Sequence, residues 1–150
     1  MNSTLNPPRR ETYAEAMAPF TLEDWACLIG RVAMGALFLW SGFGKLAHMA
    51  PTVANMQAHG MPAADLLVWP VAFFELAVAA MMLAGWRIRW AALGMLAFTL
   101  FATLIFHAFW SVPPGQVASQ QIHFLKNLAI MGGLLFAFAH GAGRIAMDTE

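Results

Sequence analysis

Four long apolar runs dominate the sequence, each broken by polar or small residues at helical spacing. They cover roughly Trp25–Ala47, Leu66–Gly85, Trp90–Trp110 and Ile122–Gly141. Each has the about 20 residues that an α-helix needs to cross the apolar part of a bilayer. The interruptions define one inward face per span. On the first span Arg31, Gly35, Phe38, Gly42 and Lys45 line up, and on the second Ala72, Glu75, Ala79 and Met82. The third offers Leu96, Thr99, Thr103, His107 and Trp110. The fourth offers His123, Lys126, Ile130, Gly133 and Ala137, with Asn127 beside Lys126. Small residues on such stripes let helices approach closely where no water drives them together. The pattern predicts an all-α fold, a four-transmembrane-helix bundle.

The connections carry their own signals. Thr21 followed by Asp24 is a capping-box-like start for the first span. Between spans 1 and 2, PTVANMQAHG predicts a short interfacial helix. In it Pro51 suits the first helical position, Gly60 the stop, and Val53 and Met56 face lipid or the bundle. Span 2 is expected to begin at Asp65 or nearer Pro70, whose missing N–H is harmless only near a helix start. Gly85–Arg89 reads as a tight turn, and SVPPGQVASQQ before span 4 as an uncharged, turn-rich connection. Residues 1–20 are expected to be a flexible N-terminal tail with a short helix around Thr12–Met17, and residues 21–145 the four-helix transmembrane domain. The tail has no apolar core of a signal peptide, so span 1 is expected to act as the uncleaved insertion signal.

Composition turns the helical pattern into a membrane assignment. Hydrophobic residues make up 60% of the chain and charged ones only 11%, which lies outside the range of soluble domains. The formal net charge is zero, so no overall field points to nucleic acid. Cys27 stands alone, which excludes an intramolecular disulfide and a dithiol redox motif; it reads as a small buried hydrophobe. Arg9, Arg10, Arg87, Arg89 and Arg144 fall on one side of the four spans, and at most Lys45 on the other. Positive residues stay cytoplasmic. The expected location is a bacterial-type cytoplasmic (inner) membrane, with both termini in the cytoplasm. Trp86 and Trp90 then fit one interfacial belt, and Trp69 and Trp110 the other.

Candidate chemistry centres on Glu75, inside the apolar run VAFFELAVAAMML. A central charge costs roughly 2.5–3.5 kcal/mol on insertion scales, so it must be paired, hydrogen-bonded or protonated. At 1.5 Å per residue Lys126 lies roughly 7 Å and Glu75 roughly 14 Å from the outer end. Lysine can span that difference, so the expected structural ion pair is Glu75–Lys126, with Arg31 as the other partner. On a functional reading, Lys45, Glu75, His107, Trp110, Lys126 and Asn127 bind a ligand in an outer-half cavity. Its walls would come from Phe73, Phe74, Phe106, Phe109 and Trp110 in some combination. Apolar walls with few convergent polar groups suit a quinone-sized or lipid-like molecule, and a histidine can exchange a proton with a reduced ligand near neutral pH. No cofactor is fixed by a motif. Quinone is the candidate; haem on His107 and His123 is disfavoured because no spacing demands it. His48-Met49 and His59-Gly-Met61 fit structural methionines better than a soft-metal site, and no metal is expected.

The ordered motifs resemble the DoxX family of small membrane proteins. They are Arg31 with GFGKL (Gly42–Leu46), HGMP (His59–Pro62), FFEL (Phe73–Leu76) and the turn Leu83–Gly85. HAFW (His107–Trp110) and FLKN through GGLL (Phe124–Leu135) complete the set, which runs from about Leu28 to Ala139. The resemblance implies the four-span fold and a redox-associated role as a quinone-linked or anchoring component beside a soluble or membrane oxidoreductase. It does not imply that the chain itself is an enzyme. The alternative is a non-enzymatic scaffold, or a handler of lipid or small solutes, whose intramembrane ion pair is structural. The sequence leaves the oligomeric state open.

Overall fold

The computed structural model describes residues 18–147. Most of the expected tail 1–20, including the helix around Thr12–Met17, lies outside the described residues. Among the described residues the chain forms five α-helices: α1 Leu22–Ala47, α2 Met49–Ala58, α3 Ala64–Ala84, α4 Ile88–Phe106 and α5 Pro114–His140, with a 3₁₀ turn at Phe109–Ser111. The four long elements, α4 together with its 3₁₀ turn, are apolar enough to cross a membrane, and α2 is the short helix between the first two. The four-helix architecture with its extra short helix matches the periodicity.

Local chemistry sets most of the boundaries. Thr21 and Asp24 form a reciprocal capping box: the Thr21 N–H donates to Asp24 Oδ2 at 2.8 Å, and the Asp24 N–H to Thr21 Oγ1 at 3.3 Å. Helix α2 ends in a Schellman motif, with the Met61 N–H bonded to the Met56 carbonyl and the Gly60 N–H to that of Gln57. Met61 packs against the apolar cluster that contains Met56. Gly85, at φ 68°, closes α3 in the same way: the Trp86 N–H reaches the Met81 carbonyl and the Gly85 N–H that of Met82. A Cβ at Gly85 would also overlap the Arg31 guanidinium, so two constraints select glycine there.

Two boundaries differ from the expected ones. Helix α5 starts at Pro114, eight residues before the apolar run. Proline at a first helical position costs nothing because that N–H has no helical partner, and the polar residues after it extend the helix beyond its apolar part. The extended backbone at Val112 and Pro113 follows from each preceding a proline. The α-helical part of the third span ends at Phe106. Helix α3 begins at Ala64 with Pro70 inside it. The loss of one helical hydrogen bond falls on the exposed side of the helix, where Trp69 and Pro70 lie.

The helices run alternately up and down. Contacts are most extensive between α1 and α3 and between α4 and α5, and α3 against α4 joins the two pairs. Gly35 and Gly42 make the first contact possible: a Cβ at Gly35 would lie 2.8 Å from the Leu83 side chain, and one at Gly42 2.9 Å from that of Leu76. The main core includes Phe38, Val78, Met82, Met95 and Leu134. A second cluster of Met56, Ala64 and Val68, with Phe106 packed on it, docks α2 against α3 and the end of α4.

The end carrying the α3–α4 turn is closed by residues 141–147. The Met147 N–H donates to the Ala84 carbonyl, the buried Arg31 donates to the Ile145 carbonyl, and Arg144 pairs with Asp24 at 3.5 Å. Cys27 is half-buried against Gly143.

Candidate functional site

The α1–α3 register decides what Glu75 meets. Setting Gly35 beside Ala79 and Leu83, and Gly42 beside Ala72 and Leu76, brings Ser41 opposite Glu75. Ser41 Oγ donates to Glu75 Oε1 at 3.0 Å. Side chains lean toward the N-terminus of their own helix, so in an antiparallel pair Lys45 leans toward Ser41 while Glu75 leans toward the level of Lys45. Lys45 Nζ accordingly lies 2.6 Å from Glu75 Oε2 and donates to Ser41 Oγ at 2.8 Å. The result is a closed triad in which Glu75 is 2% exposed and Lys45 24%.

This corrects the expected pairing. Glu75 meets neither Lys126 nor Arg31. Lys126 is exposed on α5, whose inward face carries Asn127, Ile130, Met131 and Leu134 instead. Arg31 sits nearly three turns nearer the opposite end, level with Gly85, where it bonds the Ile145 carbonyl. The triad is a salt bridge between neighbouring helices, built from two side chains expected to be ligand contacts, Lys45 and Glu75, and one serine that the polar stripe passed over.

Beside the triad is a cavity of about 500 Å³. Of the six candidate ligand residues, Lys45, Glu75, His107 and Asn127 line it, and Trp110 and Lys126 do not. The walls differ from the expected set. Phe106 contributes, together with Phe38, Phe98 and Phe101, whereas Phe73 and Phe74 are exposed. Phe109 and Trp110 pack edge-on against Phe124 at 5.4 and 5.8 Å. Helix α2 adds Thr52 and Asn55, and Leu37 and Phe101, both on the exposed apolar surface, also line the cavity.

The polar groups of α4 and α5 are partly fixed to one another. Asn127 Nδ2 donates to Thr103 Oγ1 at 2.9 Å, and that hydroxyl donates to the Thr99 carbonyl at 2.6 Å. His107 Nδ1 lies 2.8 Å from Gln120 Oε1, and its ring stacks on that of His123 with centroids 5.0 Å apart. Sequence reasoning missed Ser41, Thr52, Asn55 and Gln120. Ser41 lies one turn before Lys45 and so was legible as its neighbour, but the other three become site residues only through tertiary packing. Among the described residues no three His, Cys, Asp or Glu side chains stand close enough to hold a metal ion. His59, disfavoured as a soft-metal ligand, bonds the Asn55 carbonyl and packs edge-on against Phe106.

The arrangement is that of a small helical membrane bundle with a half-open apolar cavity and a neutralised ion pair at its side. The DoxX family model matches residues 26–108. The inner membrane protein YqjF of Escherichia coli strain K12 is 32% identical over 127 residues, covering 85% of this chain and 92% of that protein. The inner membrane protein YphA of the same organism is 30% identical over 123 residues, covering 82% and 88%. The chain belongs to the DoxX family. No solved structure matches it.

Proposed function

We propose that the chain is an inner-membrane component of a redox system that holds a quinone-type, lipid-soluble carrier in the cavity between α1, α3 and α4. The observation that carries this reading is the cavity of about 500 Å³ with aromatic walls and the Lys45–Glu75–Ser41 triad at its side. Drug-sized ligands occupy cavities of roughly 300–1,000 Å³ with few, fixed polar groups. Leu37 and Phe101 support lateral entry from lipid, because each is exposed and lines the cavity. Lys45 donates one hydrogen bond to Ser41 and faces Glu75 as its counter-ion, and its ammonium has further N–H donors for a ligand carbonyl. His107 is the group suited to exchange a proton with a reduced ligand. The inner-membrane location follows the two Escherichia coli relatives. In this role the chain works beside a soluble or membrane oxidoreductase.

The test is the quinone content of protein purified in mild detergent. Wild type is expected to co-purify with quinone. Ala102→Phe, which fills the cavity from α4, and Glu75→Gln are expected to lose it, and Lys126→Met to retain it. Wild type without quinone, or full retention by Ala102→Phe, would overturn the proposal.

One observation favours a second reading. Both Glu75 oxygens are already engaged, by Ser41 and Lys45, as a purely structural ion pair requires. In a non-enzymatic scaffold, or a handler of lipid or small solutes, Glu75→Gln would lower bundle stability and leave ligand content unchanged.

A further inference from the structure

Two threonines one turn apart on α4 behave differently. Thr103 Oγ1 donates back to the Thr99 carbonyl and accepts from Asn127, which is how a helical threonine ordinarily satisfies its hydroxyl. Thr99 has the same option but does not take it. Its side chain is 4% exposed, it lines the cavity, and its Oγ1 has no hydrogen-bond partner among the described residues. A buried, unpaired hydroxyl costs stability that a methyl group of the same shape would not. Its missing partner is most simply supplied by whatever fills the cavity.

The charges of the cavity restrict what that can be. Lys45 and Glu75 cancel at 2.6 Å, Ser41, Thr52, Asn55, Thr99 and Asn127 are uncharged, and His107, the other titratable group of the lining, is tied through Nδ1 to Gln120. An ionised ligand would have to split a tight pair in an apolar surround, leaving one member uncompensated. An uncharged head group needs only a hydrogen bond. We propose that Thr99 is the specificity-determining contact of the cavity and that it selects uncharged amphiphiles over ionised ones of similar size. This rests on the reading of the cavity as a ligand site, but not on the ligand being a quinone.

The experiment is native mass spectrometry of the full chain released from detergent micelles. The protein is first equilibrated with decylubiquinone, dodecanol, dodecanoate or dodecylammonium. The two neutral probes are expected to remain bound, with the two ions at least roughly fivefold less occupied. Thr99→Val should lower neutral-probe occupancy roughly five- to tenfold, the worth of about one hydrogen bond. Thr99→Ser should restore it, and the thermal stability of ligand-free Thr99→Val should equal or exceed that of wild type. Equal binding of the ions, or unchanged occupancy in Thr99→Val, would overturn the inference. If decylubiquinone binds wild type and Thr99→Val alike, the quinone reading stands and this inference fails. If dodecanol binds in a Thr99-dependent way and decylubiquinone does not, the inference stands and the quinone reading fails. A wild-type protein that binds none of the four defeats both.

Discussion

Glu75 owes its place in the bundle to two neighbours on α1, and they are not equivalent. Ser41 supplies a neutral hydrogen bond; Lys45 supplies the charge. Replacing Lys45 by Met leaves a carboxylate 2% exposed with no counter-ion in contact, a situation that costs about 3–5 kcal/mol. Lys45→Met is therefore expected to lower the thermal unfolding temperature in detergent sharply, and Lys45→Met/Glu75→Gln to recover most of the loss. Additive losses in the double variant would show that the two side chains do not act as a pair. Lys126→Met, on the exposed face of α5, is expected to change stability by less than about 0.5 kcal/mol. That Glu75 must be paired, hydrogen-bonded or protonated was legible from its apolar neighbours alone. Which partner it meets was not, because depth along a helix says nothing about which way the helix is turned. Lys126 and Asn127 are adjacent in sequence, yet their side chains project about 100° apart around the helix axis, and it is Asn127 that reaches the cavity.

Among the elements, α1 and α3 were read most completely. Arg31, Gly35, Phe38 and Gly42, and Ala72, Glu75, Ala79 and Met82, are all buried, because a strict stripe of small and polar residues in an apolar helix leaves only one face for a neighbour. The α4 stripe held at Thr99 and Thr103, which are buried, and failed at Trp110, which is exposed beyond the end of the regular helix at Phe106. The α5 stripe failed inside regular helix, where His123 and Lys126 are exposed, because the helix turns Asn127, Met131 and Leu134 inward instead. The same contrast separates the glycines. A Cβ at Gly35 would lie 2.8 Å from the Leu83 side chain and 3.2 Å from the Ala79 carbonyl, whereas one at Gly132 would meet nothing within 4 Å. Gly35→Ala is expected to push α1 from α3 and cost about 1–3 kcal/mol. Gly132→Ala should be neutral or stabilise by about 0.5–1 kcal/mol through reduced backbone entropy. Unfolding midpoints of the two variants in one detergent decide it; equal effects would mean that the α1–α3 contact is looser than this packing.

At the scale of the whole molecule the two ends of the bundle differ in kind. One end gathers the α3–α4 turn, the start of α1 and residues 141–147, joined by Asp24–Arg144, Arg31 to the Ile145 carbonyl and the Met147 N–H to the Ala84 carbonyl. That end carries Arg87, Arg89 and Arg144. The other end is formed by α2, which holds no Lys or Arg, and by the His107–Pro113 connection, which holds none either. Lys45, the cation nearest that end, is neutralised by Glu75. Cytoplasmic retention of basic loops then predicts that the arginine-rich end faces the cytoplasm and that the cavity opens toward the outer half of the membrane. Because Cys27 is the one native cysteine, the orientation is testable with little engineering. In intact cells Thr52→Cys, at the α2 wall of the cavity, should react with a membrane-impermeant maleimide from outside, while wild type should not. An alkaline phosphatase fusion after Gly60 should be active and one after Arg89 inactive. The reverse pattern would place the cavity mouth toward the cytoplasm, and any oxidoreductase drawing on a ligand held there would then have to dock on the α2 side from within the cell.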